Sequence, residues 1–160
     1  MSGRAQVLAD RLQQGAQQLA AFVESLSDTE WHMKLPKDGR TVGVIVHHVA
    51  SVYPLEIQLA QSVAAGKPIV GVTWDAVAEM NAKHAQEHAG VGKPEALELL
   101  RQNSQVAADA VRTFSDDQLD CAAPVSLNGD APLTAQFLIE DHALRHSFHH
   151  LARIRTTVGR

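Results

Sequence analysis

The sequence is poor in cysteines, aromatic residues and clustered positive charge, and each scarcity excludes a class of protein. Cys121 is its single cysteine, so no disulfide can form within the chain and a reducing, cytoplasmic location is expected. Aromatic residues make up 4% of the chain, so aliphatic side chains must build most of the core. The net charge is −4 and no basic stretch runs longer than two residues, so we expect no nucleic acid as a partner.

Signals for secretion and for membrane insertion are also missing. The first residues lead into an amphipathic segment rather than into the apolar centre of a signal peptide. No apolar run approaches the length of a membrane span, so we expect no membrane partner. The chain has no internal repeat, and 160 residues is the length of one ordinary domain, so residues 1–160 are expected to form a single domain.

Apolar residues recur at helical spacing in five segments, which predicts an all-α fold. The predicted helices cover residues 5–26, 42–65, 74–89, 94–114 and 133–158. Four of them are long and carry apolar stripes with a seven-residue repeat, which suits helices packed nearly parallel in a four-helix bundle. The additional short helix lies between the second and third long helices. No strand pattern is convincing, although residues 125–127 are expected to be briefly extended.

Several of these helices have recognisable end signals. Thr41 and Thr73 are placed to cap the helices that follow them, and Pro94 suits the first turn of its helix. Gly66 is expected to end the second helix in a left-handed conformation. Pro54 lies inside that helix, where it removes a backbone hydrogen bond and is expected to cause a kink.

The last predicted helix carries four histidines: His142, His146, His149 and His150. His146 and His150 are four residues apart, and on an α-helix this spacing places both imidazoles on one face, one turn apart. Such a pair can hold one divalent metal ion if a third ligand comes from elsewhere. His142 and His149 lie on the flank of this face, where they could reach the same site or point to water.

His47 and His48 in the second helix are the candidates for that third ligand. Five apolar residues lie within about 60° of His48 around the helix axis: Val44, Ile45, Val52, Leu55 and Leu59. His47 lies roughly 100° away, towards the edge of this stripe or towards solvent. His48 is therefore predicted to face inward, although a lone histidine on an apolar face is more often a hydrogen-bonded core residue.

Other notable residues have structural interpretations. His84 and His88 are also four residues apart, but they lie in a polar helix and are interpreted as part of a solvated face. Cys121 has no neighbouring cysteine or histidine in sequence and is a weak candidate nucleophile. Trp31 and Trp74, at the edges of helices, are more often anchors of a core than ligand platforms.

The last helix also carries a second apolar stripe, distinct from its histidine face: Phe137, Leu144, Leu151 and Val158. This stripe would suit the interface of a homodimer. Neighbouring helices of the same chain could cover it equally well.

Segments in three parts of the chain resemble the DinB/YfiT-like superfamily. They are residues 26–31 with 41–50, residues 65–81, and the closing His-x-x-His-His motif that begins at His146. The resemblance covers most of the chain and implies a four-helix bundle in which three histidines hold a divalent metal. In this sequence the resemblance implies one ligand from the second helix, His48, and two from the last helix, His146 and His150.

The resemblance also implies an enzyme that acts on a small molecule. Three neutral imidazoles leave a metal its positive charge and an exchangeable position, where it can lower the pKa of water or activate a thiolate. The leading expectation is transfer of a low-molecular-weight thiol cosubstrate to an electrophile, with Zn or Ni as the metal. The alternatives are a metal-dependent hydrolase, a non-catalytic metal- or ligand-binding bundle with a role in stress, and a bundle with structural histidines.

The catalytic residues are left unknown at this stage. Glu140 and Asp141 are close to the histidines in sequence but rotate away from the face of His146 and His150. Among the remaining groups, only His142 and His149 are placed to carry a proton.

Overall fold

The structure, a computed structural model, describes residues 2–160. The long helices are α1 (Gly3–Glu24), α3 (Val42–Ala64), α5 (Lys93–Arg112), and a C-terminal region made of α7 (Ala135–Leu138), a π-helical segment (Ile139–Leu144) and α8 (Arg145–Val158). The shorter elements are α2 (Asp28–Trp31), α4 (Trp74–Glu87), α6 (Asp116–Asp120), β1 (Ala122–Val125), a 3₁₀ turn (Ser126–Asn128) and β2 (Ala131–Thr134). The predicted four-helix bundle, with a short helix between the second and third long helices, is confirmed.

The long helices form a closed ring. Helix α5 packs against both α1 and α3, and the C-terminal region packs against α1 and α3 from the other side. Every residue from 42 to 50 in α3 is buried, so this half of the helix is covered on all sides. Helix α4 lies outside the ring against α3 and has no buried residue of its own.

The end signals predicted at Thr41, Gly66 and Thr73 agree with the structure. The hydroxyls of Thr41 and Thr73 accept hydrogen bonds from the amides of Val44 and Ala76, so both residues are N-caps. Gly66 follows α3 with a φ of +72°, a left-handed conformation that glycine adopts without steric cost.

Pro54 lies inside α3 as predicted, and a side chain from α5 replaces the hydrogen bond that it removes. In a regular helix the carbonyl of Ala50 would accept a bond from the amide of residue 54, which proline lacks. Here the side-chain amide of Asn103 donates to that carbonyl at 2.9 Å. This role of Asn103 is not visible in the sequence, because nothing in its own segment indicates a hydrogen-bond acceptor in another helix.

Trp31 anchors the connection between the first two long helices, as its position predicts. Its ring lies against the backbone of α3, where a Cβ atom on Gly43 would come within 2.6 Å of it. Its indole nitrogen donates to the carbonyl of Val91 at 3.1 Å. Trp31 therefore ties the segment after α1 to α3 and to the chain before α5.

The connection before the last helix departs from the prediction. The segment 120–132 was expected to be irregular, and the last helix was expected to begin at Leu133. Instead β1 and β2 form an antiparallel hairpin, with Ala122 opposite Thr134, and the helix begins at Ala135. An isolated hairpin of this size is marginal in water. This one is supported by Ile69, whose backbone pairs with β1 through bonds to Pro124 and Ser126.

The π-helical segment accounts for a second departure. A π turn contains an additional residue per turn, so it shifts the rotational position of the residues before it relative to those after it. The predicted stripe is broken accordingly: Phe137 is 37% exposed, whereas Leu144 and Leu151 are each 5% exposed. Since the two leucines are buried within the chain, the structure favours the intrachain alternative for this stripe over a homodimer interface.

The expectation that no segment approaches a membrane span was wrong for α3. This helix has 23 residues, and an 18-residue window within it has a mean hydropathy of 1.2, so it is long and apolar enough to cross a membrane. In the structure, 67% of the apolar window is buried inside the protein. Core helices of soluble proteins pass the same test, so the feature is weak evidence for a membrane segment.

Replacing Asn103 by Ala is expected to lower the free energy of unfolding by about 1–2 kcal/mol, because the Ala50 carbonyl is then buried without a donor. In a Pro54→Ala background the restored amide can reach that carbonyl, so the Asn103→Ala change should cost less. Urea denaturation of the four proteins measures this coupling, with Gln102→Ala, an exposed neighbour, as the matched control. Equal costs in the two backgrounds would contradict the compensation.

Candidate metal centre

The structure brings His48, His146 and His150 together, although His48 is distant from the other two in sequence. His48 comes from the buried half of α3, and His146 and His150 lie one turn apart on α8. One nitrogen from each ring can be chosen so that all three atoms lie within 4.8 Å of one another. His48 and His150 are buried and His146 is half-buried, so the cluster lies at the edge of the interior.

The geometry of this triad fits a divalent metal ion. The Nε2 atoms of His48 and His146 are 3.2 Å apart. Two nitrogens at about 2.0–2.1 Å from one tetrahedral ion would be separated by about 3.3 Å, which is close to this distance. The rings of His146 and His150 have centroids 4.8 Å apart, so the third imidazole is within reach of the same point.

A carboxylate that the sequence analysis missed supports the triad. Glu56 of α3 is buried, and its Oε1 lies 2.8 Å from Nδ1 of His146. A carboxylate that accepts a hydrogen bond from Nδ1 fixes the ring and leaves Nε2 free as a ligand. Glu56 is eight residues after His48, a rotation of about 80° on a helix, so the spacing along α3 alone indicates that the carboxylate lies on the side of His48.

Burial favours the neutral form of two of the three imidazoles. Burial, with a smaller contribution from the neighbouring His146, lowers the pKa of His48 to about 3 and that of His150 to about 2. Imidazoles must be unprotonated to bind a metal, so the lowered pKa values favour the ligand form at neutral pH.

The triad lies at the edge of a cavity of about 280 Å³ between α3, α4 and the C-terminal region. The cavity walls are mainly apolar, and several of the lining residues come from α3 and α4: Val52, Leu55, Leu59, Trp74, Val77 and Met80. Trp74 is held at the start of α4 by a hydrogen bond from its indole nitrogen to the carbonyl of Leu127. Helix α4 therefore forms a roof over the cavity. Trp74 was predicted to anchor a core, but it is 59% exposed and lines the cavity instead.

A polar group also reaches the cavity from the loop before α3. Arg40 lines the cavity beside His48, and its Nε and Nη2 donate to the carboxylate of Asp38 at 2.7 and 2.9 Å. Arg153 of α8 donates to the same carboxylate at 2.7 Å, and these two arginines hold the pKa of Asp38 well below its usual range. The remaining nitrogen, Nη1 of Arg40, is buried and has no hydrogen-bond partner within residues 2–160. It is a donor without a partner on a residue of the cavity wall.

His142 and His149 lie beside the triad, as their rotation predicted. His142 is in the π-helical segment, is half-buried and lines the cavity. His149 is exposed, with its ring edge against His150 at a centroid distance of 5.1 Å. Cys121 is half-buried at the end of α6 and does not line the cavity.

The solvated positions predicted for His84 and His88 were wrong, and His47 lies deeper than the predicted edge of the α3 stripe. His47 is buried rather than turned to solvent, because α4 covers the face of α3 on which it lies. His84 and His88 of α4 are half-buried against it rather than on a solvated face. The ring of His47 stacks on both, with centroid distances of 5.0 and 3.9 Å, and burial is the main cause of the lowered pKa values of His47 and His84.

The sequence matches the model of the DinB superfamily over residues 11–154. No curated protein matches the sequence. The fold is similar to that of YfiT from Bacillus subtilis, described as a probable metal-dependent hydrolase with an unusual four-helix bundle topology. In that comparison the TM-score is 0.76 and the identity 19%, over 99% of this chain and 90% of that chain.

Two further solved structures have similar folds. The colibactin self-resistance protein ClbS, in complex with double-stranded DNA, has a TM-score of 0.71 at 17% identity, over 94% of this chain and 93% of that chain. The mycothiol-dependent maleylpyruvate isomerase has a TM-score of 0.69 at 15% identity, over 94% of this chain and 60% of that chain. These identities are low enough that the likenesses establish the fold alone. The DNA complex of ClbS leaves nucleic acid open as a partner.

The metal-free protein is expected to lose stability as the pH falls from 7 to 5. The folded-state pKa values of His48 and His150 lie below the unfolded value of about 6.5, so only the unfolded chain takes up these protons in this range. Below pH 6.5, each of these two groups then lowers the free energy of unfolding by up to about 1.4 kcal/mol per pH unit. Urea denaturation in a chelator measures the slope, which should be shallower in His150→Gln. The exposed control His32→Gln should keep the wild-type slope, and a pH-independent stability would contradict the expectation.

Proposed function

The chain belongs to the DinB superfamily, and on this basis we propose that it is a metal-dependent enzyme that transfers a low-molecular-weight thiol to a small electrophile. The observation that carries the proposal is the convergence of His48, His146 and His150 at the edge of the apolar cavity. A divalent ion held by these three imidazoles would supply Lewis-acid activation of a thiol or of water. Zn and Ni both suit imidazole ligands.

Glu56 is the group that we assign to proton transfer. Its Oε1 is committed to His146, whereas its Oε2 is buried without a hydrogen-bond partner in residues 2–160. Glu56 is one of the residues that line the cavity. A carboxylate oxygen in this position can accept the proton that an attacking thiol must lose. The same residue thus orients one imidazole and offers a base.

The cavity is the basis for the proposed class of substrate. Its aliphatic and aromatic walls favour a small, mostly apolar electrophile. Nη1 of Arg40, the free buried donor, would bind an anionic or strongly accepting group on that molecule. The bidentate contact with Asp38 keeps the guanidinium in place, so this donor is already oriented before the substrate binds.

A metal-dependent hydrolase is the second candidate, and the free Oε2 of Glu56 is the observation that favours it. The same oxygen could accept a proton from water as readily as from a thiol. Each candidate reaction has a counterpart among the similar structures. YfiT is described as a probable metal-dependent hydrolase, and the maleylpyruvate isomerase is described as mycothiol-dependent. The apolar walls and the net charge of −4 favour a small molecule over nucleic acid as the partner.

Thiol conjugation to monochlorobimane tests the proposed reaction. With Zn²⁺ or Ni²⁺ bound, the protein is expected to accelerate conjugation of bacillithiol, mycothiol or glutathione above the rate of the free thiol. His150→Gln should abolish this turnover and His32→Gln should leave it unchanged. Thiol-independent cleavage of ester or amide substrates would favour the hydrolase. Metal binding with no turnover in either assay would overturn both reactions and leave a binding module.

Replacing Glu56 by Gln is expected to weaken metal binding at the triad about 10–100-fold, because a neutral amide supports the His146 ring less well than a carboxylate does. Turnover measured at saturating metal should also fall, since the base is removed. A competition titration with a chromophoric chelator measures the affinity, with the exposed Glu98→Gln as the matched control. An unchanged affinity together with an unchanged rate would contradict both roles of Glu56.

A further inference from the structure

A second group of three histidines lies next to the first. His47 of α3 meets His84 and His88 of α4, and one nitrogen from each ring can be chosen so that all three lie within 4.8 Å of one another. Nδ1 of His47 and Nε2 of His84 are 2.8 Å apart, and the rings of His84 and His88 have centroids 4.7 Å apart. This group has the same composition as the first triad: one ligand from α3, and two ligands four residues apart on another helix.

Hydrogen bonding alone does not explain this cluster. The contact between His47 and His84 involves one nitrogen of each ring. The other nitrogen of His84, Nδ1, is buried without a partner, and the His88 ring makes no hydrogen bond within the described part of the chain. A hydrogen bond can join only two of the three rings, whereas a metal ion can bind one nitrogen from each of them.

The charges around the cluster suit a cation. Glu87 follows His84 on α4, and Glu95 lies near His47 at the start of α5; both carboxylates favour positive charge at the neighbouring ring. The nearest basic group on α4 is Lys83, which is paired with Glu87 at 3.8 Å. Arg40 opposes positive charge at His84, but its guanidinium is paired with Asp38. A bound cation would therefore have carboxylates near two of its three ligands.

We propose that His47, His84 and His88 form a second site for a borderline divalent cation such as Zn²⁺, Ni²⁺ or Cu²⁺, and that this ion fastens α4 to α3 over the cavity. The ligand chemistry selects this class, since imidazole suits these metals and not Mg²⁺ or Ca²⁺. The proposal does not depend on the reaction catalysed at the first triad.

The position of α4 explains what such an ion would do. Helix α4 has no buried residue, and it carries Trp74, Val77 and Met80 of the cavity wall. Its first turn is held by the bond from Trp74 to Leu127, and its last turns are held through His84 and His47. An ion that joins the three histidines cross-links the far end of the roof to the most buried helix of the bundle. Access to the first triad would then depend on occupancy of the second site.

Metal stoichiometry tests the proposal. After dialysis against Zn²⁺ with a weak competing chelator, native mass spectrometry and elemental analysis should find two ions in the wild-type chain and in the exposed control His32→Gln. His150→Gln, His47→Gln and His88→Gln should each retain one ion, and the double variant His150→Gln/His88→Gln should retain none. His88 is half-exposed, so its variant keeps the test valid if the buried His47 variant does not fold.

Two results would overturn the second site. One is a single ion in the wild-type chain, which would mean that the adjacent clusters share one ion or that only the first binds. The other is a second ion that survives His47→Gln in a folded protein, which would reduce the site to the His84/His88 pair and remove the link to α3. Cu²⁺ electron paramagnetic resonance of His150→Gln gives an independent readout, with a signal from three nitrogens expected.

Hydrogen exchange tests the effect on α4. At a free Zn²⁺ concentration about tenfold above the dissociation constant, linkage predicts roughly tenfold slower exchange through openings that break the cluster. The slowing should appear in α4 of His150→Gln, in which only the second site remains, and should be absent from α4 of His88→Gln. Slowing of α4 in both variants would assign the effect to the first triad and contradict the fastening role.

Discussion

The burial of α3 on all sides is the constraint on which the rest of the structure depends. Consecutive residues on a helix differ by about 100° in direction, so His47 and His48 leave α3 towards different neighbours. His48 points to the C-terminal region, where it meets His146 and His150, whereas His47 points to α4, where it meets His84 and His88. A helix covered on one face only would have left one of these two imidazoles in water.

The same burial explains why the polar groups of this region occur in connected sets. A polar group that leaves water costs free energy unless it finds a partner, and several groups on α3 are placed against one. Glu56 meets His146, and the carbonyl exposed by Pro54 meets Asn103. Five buried side-chain atoms have no partner within residues 2–160, and three of them belong to residues that line the cavity: Arg40, Glu56 and Asn81. The other two belong to Tyr53 and His84.

Periodicity predicted the long helices well because each carries enough apolar residues to determine its own period. It also placed His146 and His150 correctly, since both lie within α8 and need only the regular geometry of one helix. It failed where a second element covers a helix. The interpretation of His47 assumed a single buried stripe on α3, and the interpretation of His84 and His88 assumed that a polar helix faces water. The position of Glu56 also follows from spacing along one helix, because eight residues after His48 correspond to a rotation of about 80°.

The sequence by itself determined the class of fold, the caps that begin α3 and α4, and the pairing of two imidazoles one turn apart, because these depend on local spacing along one chain segment. Only the tertiary structure decided which elements lie against one another. It placed the hairpin beside Ile69, put α4 over His47, and set the rotational position of the last helix through the π-helical segment. These contacts join residues far apart in sequence and depend on burial and on complementary shape, which the spacing of residues in one segment does not encode.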